Sequence, residues 1–177
     1  MIRRKSTESD EQLIYDESVR SVDRVGAISR LAVDGYAEME SLLVKLLDSE
    51  DYLLRDQAIR ILLGGWGQSK YLEKVIGILH HSSDEFVRMS AANSLGSFVV
   101  TFEVGQKHKE RVLRELLEQL LNDEDLFAQK RCYEQIVKII KNQRVGEDLP
   151  NLFDRERDVD WNLLQPYLEE YNLRKPS

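Results

Sequence analysis

Apolar residues recur every three or four positions through most of this chain, a spacing that predicts amphipathic α-helices with one buried face. The first such run begins at Ser18, and the runs continue to about residue 143. A last apolar run, residues 161–173, follows a stretch of mixed charge. Residues 1–16 lack the pattern, because after Met1 and Ile2 their apolar positions are confined to one cluster over residues 13–15. The chain therefore predicts a helical body preceded by a loose polar arm.

One helical stretch occurs three times. Asp51, Arg55, Ala58 and Leu62 return as Asp84, Arg88, Ala91 and Leu95, and again as Asp125, Gln129, Cys132 and Ile136. The first two copies are offset by 33 residues (84 − 51) and the next two by 41 (125 − 84), so the loop near residues 101–106 holds the additional residues. Self-similarity in this range predicts stacked repeats, each of which buries its apolar face against its neighbours.

Each repeat is predicted to be two helices joined by a short acidic turn. The Asp that opens each copy stands where an N-cap is needed, since its carboxylate would accept the free backbone N–H groups of the second helix. Small residues at the level of Ala58, Ala91 and Cys132 would let the paired helices approach closely. We therefore interpret Cys132 as a packed core residue rather than a reactive thiol.

The same pattern divides the chain into three parts. Residues 1–16 are predicted to be a flexible polar arm, residues 17–146 a repeat solenoid, and residues 147–177 a linker with a capping helix that covers the open end of the stack. That last helix would be interrupted or started at Pro166. Helix-breaking glycines separate the units at residues 64–67, at Gly105 and at Gly146.

The copies at residues 51–62 and 84–96 resemble HEAT repeats, in particular the short bacterial kind called phycobilisome-lyase-like, over roughly residues 18–143. The resemblance implies an all-α fold, a right-handed α-solenoid of about three repeats plus a half repeat and the capping helix. It also implies a ladder of hydrogen bonds between the Asp and Arg of neighbouring repeats, which Gln129 would interrupt. Members of the family serve as adaptors, scaffolds, pigment-lyase subunits and toxin-neutralising immunity proteins, and a related helical-repeat family contains DNA glycosylases.

Composition narrows the class of protein. Hydrophobic residues at 42% and charged residues at 32% are typical of a soluble folded domain, and no segment reads as a membrane span or a secretory signal. A single cysteine excludes an internal disulfide, so we expect a cytoplasmic location. A net charge of −7 disfavours binding to nucleic acid, which generally requires a basic patch.

No set of residues predicts catalysis, a cofactor or a metal site. The glycines at residues 64–67 lack the Lys-Ser/Thr of a phosphate-binding P-loop. His80 and His81 are adjacent, so on a helix they point about 100° apart and cannot form the i, i+4 pair of a helical zinc site. We expect His80 to lie at the edge of the core with its ring bonded to a backbone group. The acids over residues 154–160 alternate with arginines and lack the glycine of a calcium loop.

The candidate binding residues fall on two surfaces. The turn before each second helix is acidic, whereas the opposite helix ends carry lysines and arginines, so parallel stacking predicts one acidic edge. Outward positions of the second helices differ between copies and form a concave row of mixed charge. Trp66 is predicted either to pack between repeats or to stand partly exposed as an anchor for a partner. The predicted partner-binding residues are Asp48, Glu50, Glu85 and Glu124 on the acidic edge, and Asp56, Arg60, Met89, Asn93, Lys130 and Glu134 on the concave row, with Trp66 beside it.

Two classes of function remain open. The leading hypothesis is a non-enzymatic protein–protein interaction module, an adaptor or an immunity protein, that binds a basic protein partner such as a nuclease toxin. The alternative is part of an enzyme: a pigment-lyase subunit or a helical-repeat DNA glycosylase. A glycosylase would need a basic groove with aromatic side chains and a central carboxylate, and the concave row has no aromatic residue. Fold alone does not choose between an adaptor and a lyase subunit.

Overall fold

The computed structural model describes residues 8–34, 38–143, 149–150 and 152–175. Within these ranges the chain forms α-helices and no β-strand. A π-helical segment, Arg60–Gly65, continues the helix Tyr52–Ile59, and a 3-10 turn, Ser69–Tyr71, precedes the helix Leu72–His81. The helices are α1 (Glu8–Tyr15), α2 (Ser21–Asp34), α3 (Met39–Leu46), α4 (Tyr52–Ile59), α5 (Leu72–His81), α6 (Glu85–Thr101), α7 (Glu103–Gln106), α8 (Lys109–Asn122), α9 (Leu126–Ile140), α10 (Arg155–Asp158) and α11 (Trp161–Glu170).

The helices form two layers of a solenoid. Helices α3 and α4, α5 and α6, and α8 and α9 are the three predicted pairs, and each pair is in contact. The second helices form one layer, because α2 packs on α4, α4 on α6 and α6 on α9. Helices α5 and α8 are neighbours in the other layer. The prediction of an all-α solenoid is confirmed.

The three aligned copies occupy equivalent places in the core. Leu62, Leu95 and Ile136 are fully buried, and so is the small residue one turn before each of them. Burying such an aliphatic side chain contributes about 1.5–3 kcal/mol. The small residues permit close packing, and so does Gly96, where the side chain of Gln135 occupies the space that a Cβ would need. Burial also raises the pKa of the Cys132 thiol, which keeps it protonated and unreactive, as predicted.

The N-terminal arm is the main correction. Residues 1–7 lie outside the described residues, but Glu8–Tyr15 is a helix rather than a loose segment. Helix α1 packs on α2, where Ile14 is fully buried and Arg30 Nη2 donates to Asp10 Oδ1 at 2.6 Å. Arg24 also donates to the carbonyl of Ile14, at 3.1 Å. Helices α1 and α2 are thus a further pair, in place of the predicted half repeat.

The C-terminal helix is part of the core of the stack. Leu164 and Leu168 of α11 are buried, and the N–H of Asp160 donates to Tyr133 Oη of α9 at 2.9 Å. Pro166 lies inside α11 and neither interrupts nor starts it, so that expectation is wrong. The Asp160 carboxylate caps the helix by accepting two N–H groups at 3.1 Å. The predicted boundary at residue 146, with Gly146, lies outside the described ranges.

Candidate interaction surface

The N-termini of the second helices lie along one edge of the solenoid. Asp51, Asp84 and Asp125 cap α4, α6 and α9, as predicted, with carboxylate-to-nitrogen distances of 3.0, 3.1 and 2.8 Å. The hydroxyl of Ser21, at the start of α2, donates to the Asp51 carboxylate. The starts of α2 and α4 therefore adjoin, and a ring contact between Tyr52 of α4 and Phe86 of α6 extends the same edge.

The acidic side chains of this edge differ in their exposure and in their ion pairs. Glu50 and Glu124 are exposed, and Glu85 is half-buried. Asp48 is exposed but forms an ion pair with Lys74. Asp123, which the sequence also places in the acidic turns, is buried and faces inward. The edge is acidic, although with fewer free carboxylates than the sequence suggests.

A row of exposed apolar side chains follows the same edge. Tyr52 at the start of α4 and Phe86 at the start of α6 are in contact, with ring centroids 6.1 Å apart. Phe127 is 60% exposed and Phe86 is 58% exposed. Exposed apolar side chains that cluster, rather than scatter, mark interaction sites. We call this set the apolar row, and its members are Val22, Tyr52, Phe86, Leu126 and Phe127.

Sequence reasoning missed the apolar row, although its signal is present. The first two helical positions after each capping Asp read Tyr-Leu, Glu-Phe and Leu-Phe. In α6 and α9 these positions precede the first buried residue, and the apolar side chains there, Phe86, Leu126 and Phe127, are exposed. Aligning the copies position by position, rather than looking for periodicity alone, would have found the row.

The concave row is used partly for internal contacts. Lys130 Nζ donates to the carbonyls of Leu149 and Pro150, at 3.1 and 3.0 Å. Glu134 pairs with Arg131 at 2.5 Å. Asp56 and Met89 are half-buried, while Arg60 is exposed and lies 3.8 Å from Asp56. The row therefore does not form one continuous free surface.

Trp66 ends the first repeat unit. It is half-buried and packs against the core, and because part of its side chain stays exposed, its role as an anchor for a partner stays a prediction. The backbone N–H of Trp66 donates to the carbonyl of Ile61, five residues earlier in the chain, at 2.8 Å. Gly67 then adopts φ 64°, a left-handed conformation that glycine tolerates without strain. The ring of Phe102 occupies the space that a Cβ at this position would need.

His80 belongs to a side-chain network rather than to a backbone contact, which corrects the prediction. Its Nδ1 lies 2.8 Å from Gln119 Oε1, and its Nε2 lies 2.6 Å from Glu115 Oε2. The amide of Gln119 donates to Asp123 Oδ2 at 2.5 Å, so its oxygen must accept from His80 Nδ1–H. Arg111 pairs with the other carboxylate oxygen of Glu115 at 2.5 Å. The network joins α5 to α8.

His80 is also part of the group that could hold a metal ion among the described residues. Ligand atoms of His80, Glu115 and Glu118 lie within 4.8 Å of one another. Each of these atoms already has a partner: His80 bonds Glu115, and Glu118 bonds Arg114 at 2.8 Å. The group is accounted for by one hydrogen bond between repeats, His80 to Glu115, and one ion pair within α8, Arg114 to Glu118, and the absence of a bound metal stays a prediction.

One rung of the expected Asp–Arg ladder is present. Arg88 of α6 donates to both carboxylate oxygens of Asp123, each at 2.9 Å, and to the carbonyl of Ser82. Burial raises the pKa of the Asp123 carboxyl, but hydrogen bonds from Arg88, the Asp125 N–H and Gln119 outweigh burial and hold the pKa below its ordinary value. In the third copy, Gln129 bonds only the main-chain carbonyl of Asp123. The rung is thus made with Asp123, not with a capping Asp.

The fold and this edge define a class: a solenoid of helix pairs whose second helices begin along one edge that carries exposed apolar side chains. Residues 39–136, more than half of the chain, match the family model for HEAT repeats. The chain therefore belongs to the HEAT-repeat family. Comparison with curated proteins and with solved structures gave no match. No helix among the described residues is long and apolar enough to cross a membrane.

Proposed function

We propose that this protein is a non-enzymatic interaction module, an adaptor or an immunity protein, that binds a basic protein partner along its acidic edge. HEAT repeats commonly mediate protein–protein interaction, and the observation that carries the proposal is the apolar row lying among the edge carboxylates. Apolar anchors at the centre of an interface supply most of its binding energy. The surrounding acids would select a positively charged partner and speed its association.

The chemistry of the reactive side chains supports a non-enzymatic role. The Cys132 thiol is buried and protonated, and both ring nitrogens of His80 are engaged by Gln119 and Glu115. The proposed partner would present Lys or Arg beside apolar side chains, because the edge itself offers carboxylates beside the apolar row. A nuclease toxin has this character, since it must bind phosphates.

The apolar row is tested by the double substitution Phe86→Ser, Phe127→Ser. Both side chains are more than half exposed, so the fold should survive their replacement. The tagged protein is used to capture a partner from its native host, and the purified partner is then titrated against each variant. We expect the partner to be basic and the double substitution to weaken its binding by tenfold or more, about 1.4 kcal/mol.

The matched control is Val33→Ser, which removes another exposed apolar side chain, 88% accessible at the end of α2 and away from the apolar row. It should bind the partner as the wild-type protein does. An acidic partner, or equal loss of binding in the control and the double variant, contradicts the proposal.

A further inference from the structure

A separate polar cavity lies in the layer of second helices, between the first and second repeats. It has a volume of about 330 Å³, and its lining residues are Arg60, Gly64, Gly65, Asn93, Ser94 and Ser97. The π-helical segment Arg60–Gly65 forms one wall, and α6 forms the other. Local π-helical turns are frequently found at functional sites. At Gly64 a Cβ would lie 3.2 Å from Ser94 Oγ, so the two glycines keep this wall open.

The polar groups of this cavity are left as donors. Gln135, which is 6% exposed, donates its amide to Asn93 Oδ1 at 2.9 Å, and that bond directs the Asn93 NH2 group elsewhere. Ser97 Oγ accepts from Lys138 Nζ at 3.4 Å, which leaves the hydroxyl hydrogen available. Arg60 adds a guanidinium, which forms an ion pair with Asp56 at 3.8 Å, a distance too long for a hydrogen bond, so its N–H groups can still donate.

Lys138 brings a second positive charge to the margin of the cavity. Its ammonium is half-buried, and desolvation lowers the pKa of its side chain. In the part of the chain that the structure describes, no carboxylate forms an ion pair with it, and Glu134, one turn before it, pairs with Arg131. A partly desolvated charge without a counter-ion is unfavourable, and a bound anion would supply the missing partner.

We propose that this cavity binds a phosphate group carried by a small molecule. Arg60, Asn93, Ser97 and Lys138 offer four kinds of donor from three repeats, more than the two oxygens of a carboxylate require and well matched to the three terminal oxygens of a phosphate monoester. The volume leaves room for more than the phosphate alone. This site is independent of the acidic edge, so either proposal can fail without the other.

The test is a titration of the full chain with inorganic phosphate, followed by NMR at the Asn93 side-chain amide and the Ser97 backbone amide. Acetate is the second probe, because it carries a carboxylate in place of a phosphate. We expect saturable shifts with phosphate, weaker shifts with acetate, and a rise in the pKa of Lys138 when phosphate is bound. Lys138→Met should weaken phosphate binding by about tenfold or more.

The control is Lys74→Met, which removes the same charge from α5 in the layer of first helices, where Lys74 is exposed and pairs with Asp48. It should leave phosphate binding unchanged. Arg60→Gln, at an exposed position, carries the test if Lys138→Met fails to fold. The proposal is overturned if no saturable shift occurs, if acetate binds as well as phosphate, or if Lys74→Met weakens binding as much as Lys138→Met.

Discussion

At the scale of single residues, buried polar groups connect the repeats in addition to apolar ones. Arg88 and Asp123 are largely hidden from solvent, and Asp123 also accepts from Gln119, which holds His80. This network of hydrogen bonds fixes the register of two repeats, because each polar group has one orientation that satisfies its neighbours. Losing one member leaves the others buried and unpaired.

Asp123→Asn should therefore destabilise the protein by about 3–5 kcal/mol at neutral pH, since it leaves the Arg88 charge without its counter-ion. The pKa of Asp123 is lowered in the folded protein, so its contribution is fully present above the unfolded pKa and is lost as pH falls through the folded value. Denaturant unfolding at several pH values measures this. The difference between variant and wild type should shrink below about pH 4.

Asp48→Asn is the matched control, because Asp48 is exposed and pairs with Lys74 in solvent. Its free energy of unfolding should change by less than about 1 kcal/mol. An Asp123→Asn variant as stable as this control would mean that the rung contributes no stability.

His80 provides a second prediction at this scale. Its ring bonds to Glu115 and Gln119 link α5 to α8 without a metal, so elemental analysis of the purified protein should find no stoichiometric zinc. His80→Gln should lower the free energy of unfolding by about 1–3 kcal/mol, since it leaves Glu115 partly unsatisfied. Zinc at one equivalent, removed by the same substitution, would show instead that the group is a metal site.

At the scale of the helix, N-capping residues determine where the second helices begin, and small residues determine how closely the helices pack. The Asp at each N-cap accepts the first free N–H groups, and the small residue one turn before Leu62, Leu95 and Ile136 sets the distance between layers. Helix α6 is central, because it packs on α4, α5, α8 and α9. Its small buried residues should tolerate added volume poorly.

Ala91→Leu should destabilise the protein by roughly 1–3 kcal/mol, because Ala91 is fully buried in α6 and added methyl groups would overpack its neighbours. Thermal or denaturant unfolding measures the change. The control is Met89→Leu, a volume-conserving replacement at a half-buried position of the same helix, which should cost much less. An unchanged melting temperature for Ala91→Leu would contradict the alignment of the three copies.

The helices that the sequence predicts well are those that repeat. The copies at Asp51, Asp84 and Asp125 carry their own caps and periodicity, so they are readable without tertiary information. Helix α1 cannot be predicted in this way, because its position depends on the burial of Ile14 and on the pairing of Asp10 with Arg30, twenty residues away in sequence. Long-range contacts of this kind leave no local pattern.

The candidate site was predictable to a similar degree. The acidic turns could be read from the repeats, whereas the inward turn of Asp123 depends on Arg88 in the neighbouring repeat. The polar cavity could not be predicted from the sequence, because the π-helical segment Arg60–Gly65 and the half-buried Lys138 belong to different repeats. The helix stack, not the local sequence, brings such groups together.

At the scale of the whole molecule, stacking converts repeated local features into continuous surfaces. Side-by-side packing of α2, α4, α6 and α9 places the apolar row beside Glu50, Glu85 and Glu124 along one edge. Part of the acidity has a structural cause, since acids at helix N-termini contribute about 0.3–1 kcal/mol each. The three glutamates are not the capping residues, and their charges remain for a partner.

The central claim, that this edge binds a basic protein, is tested most directly by the association rate of the partner with the triple variant Glu50→Lys, Glu85→Lys, Glu124→Lys. The capping Asp51, Asp84 and Asp125 stay in place, so the fold should survive, as circular dichroism would verify. Wild-type association should slow steeply as salt rises, and the variant should associate at least tenfold more slowly at low salt with little salt dependence. A folded variant whose association rate at low salt equals that of the wild type would contradict the claim.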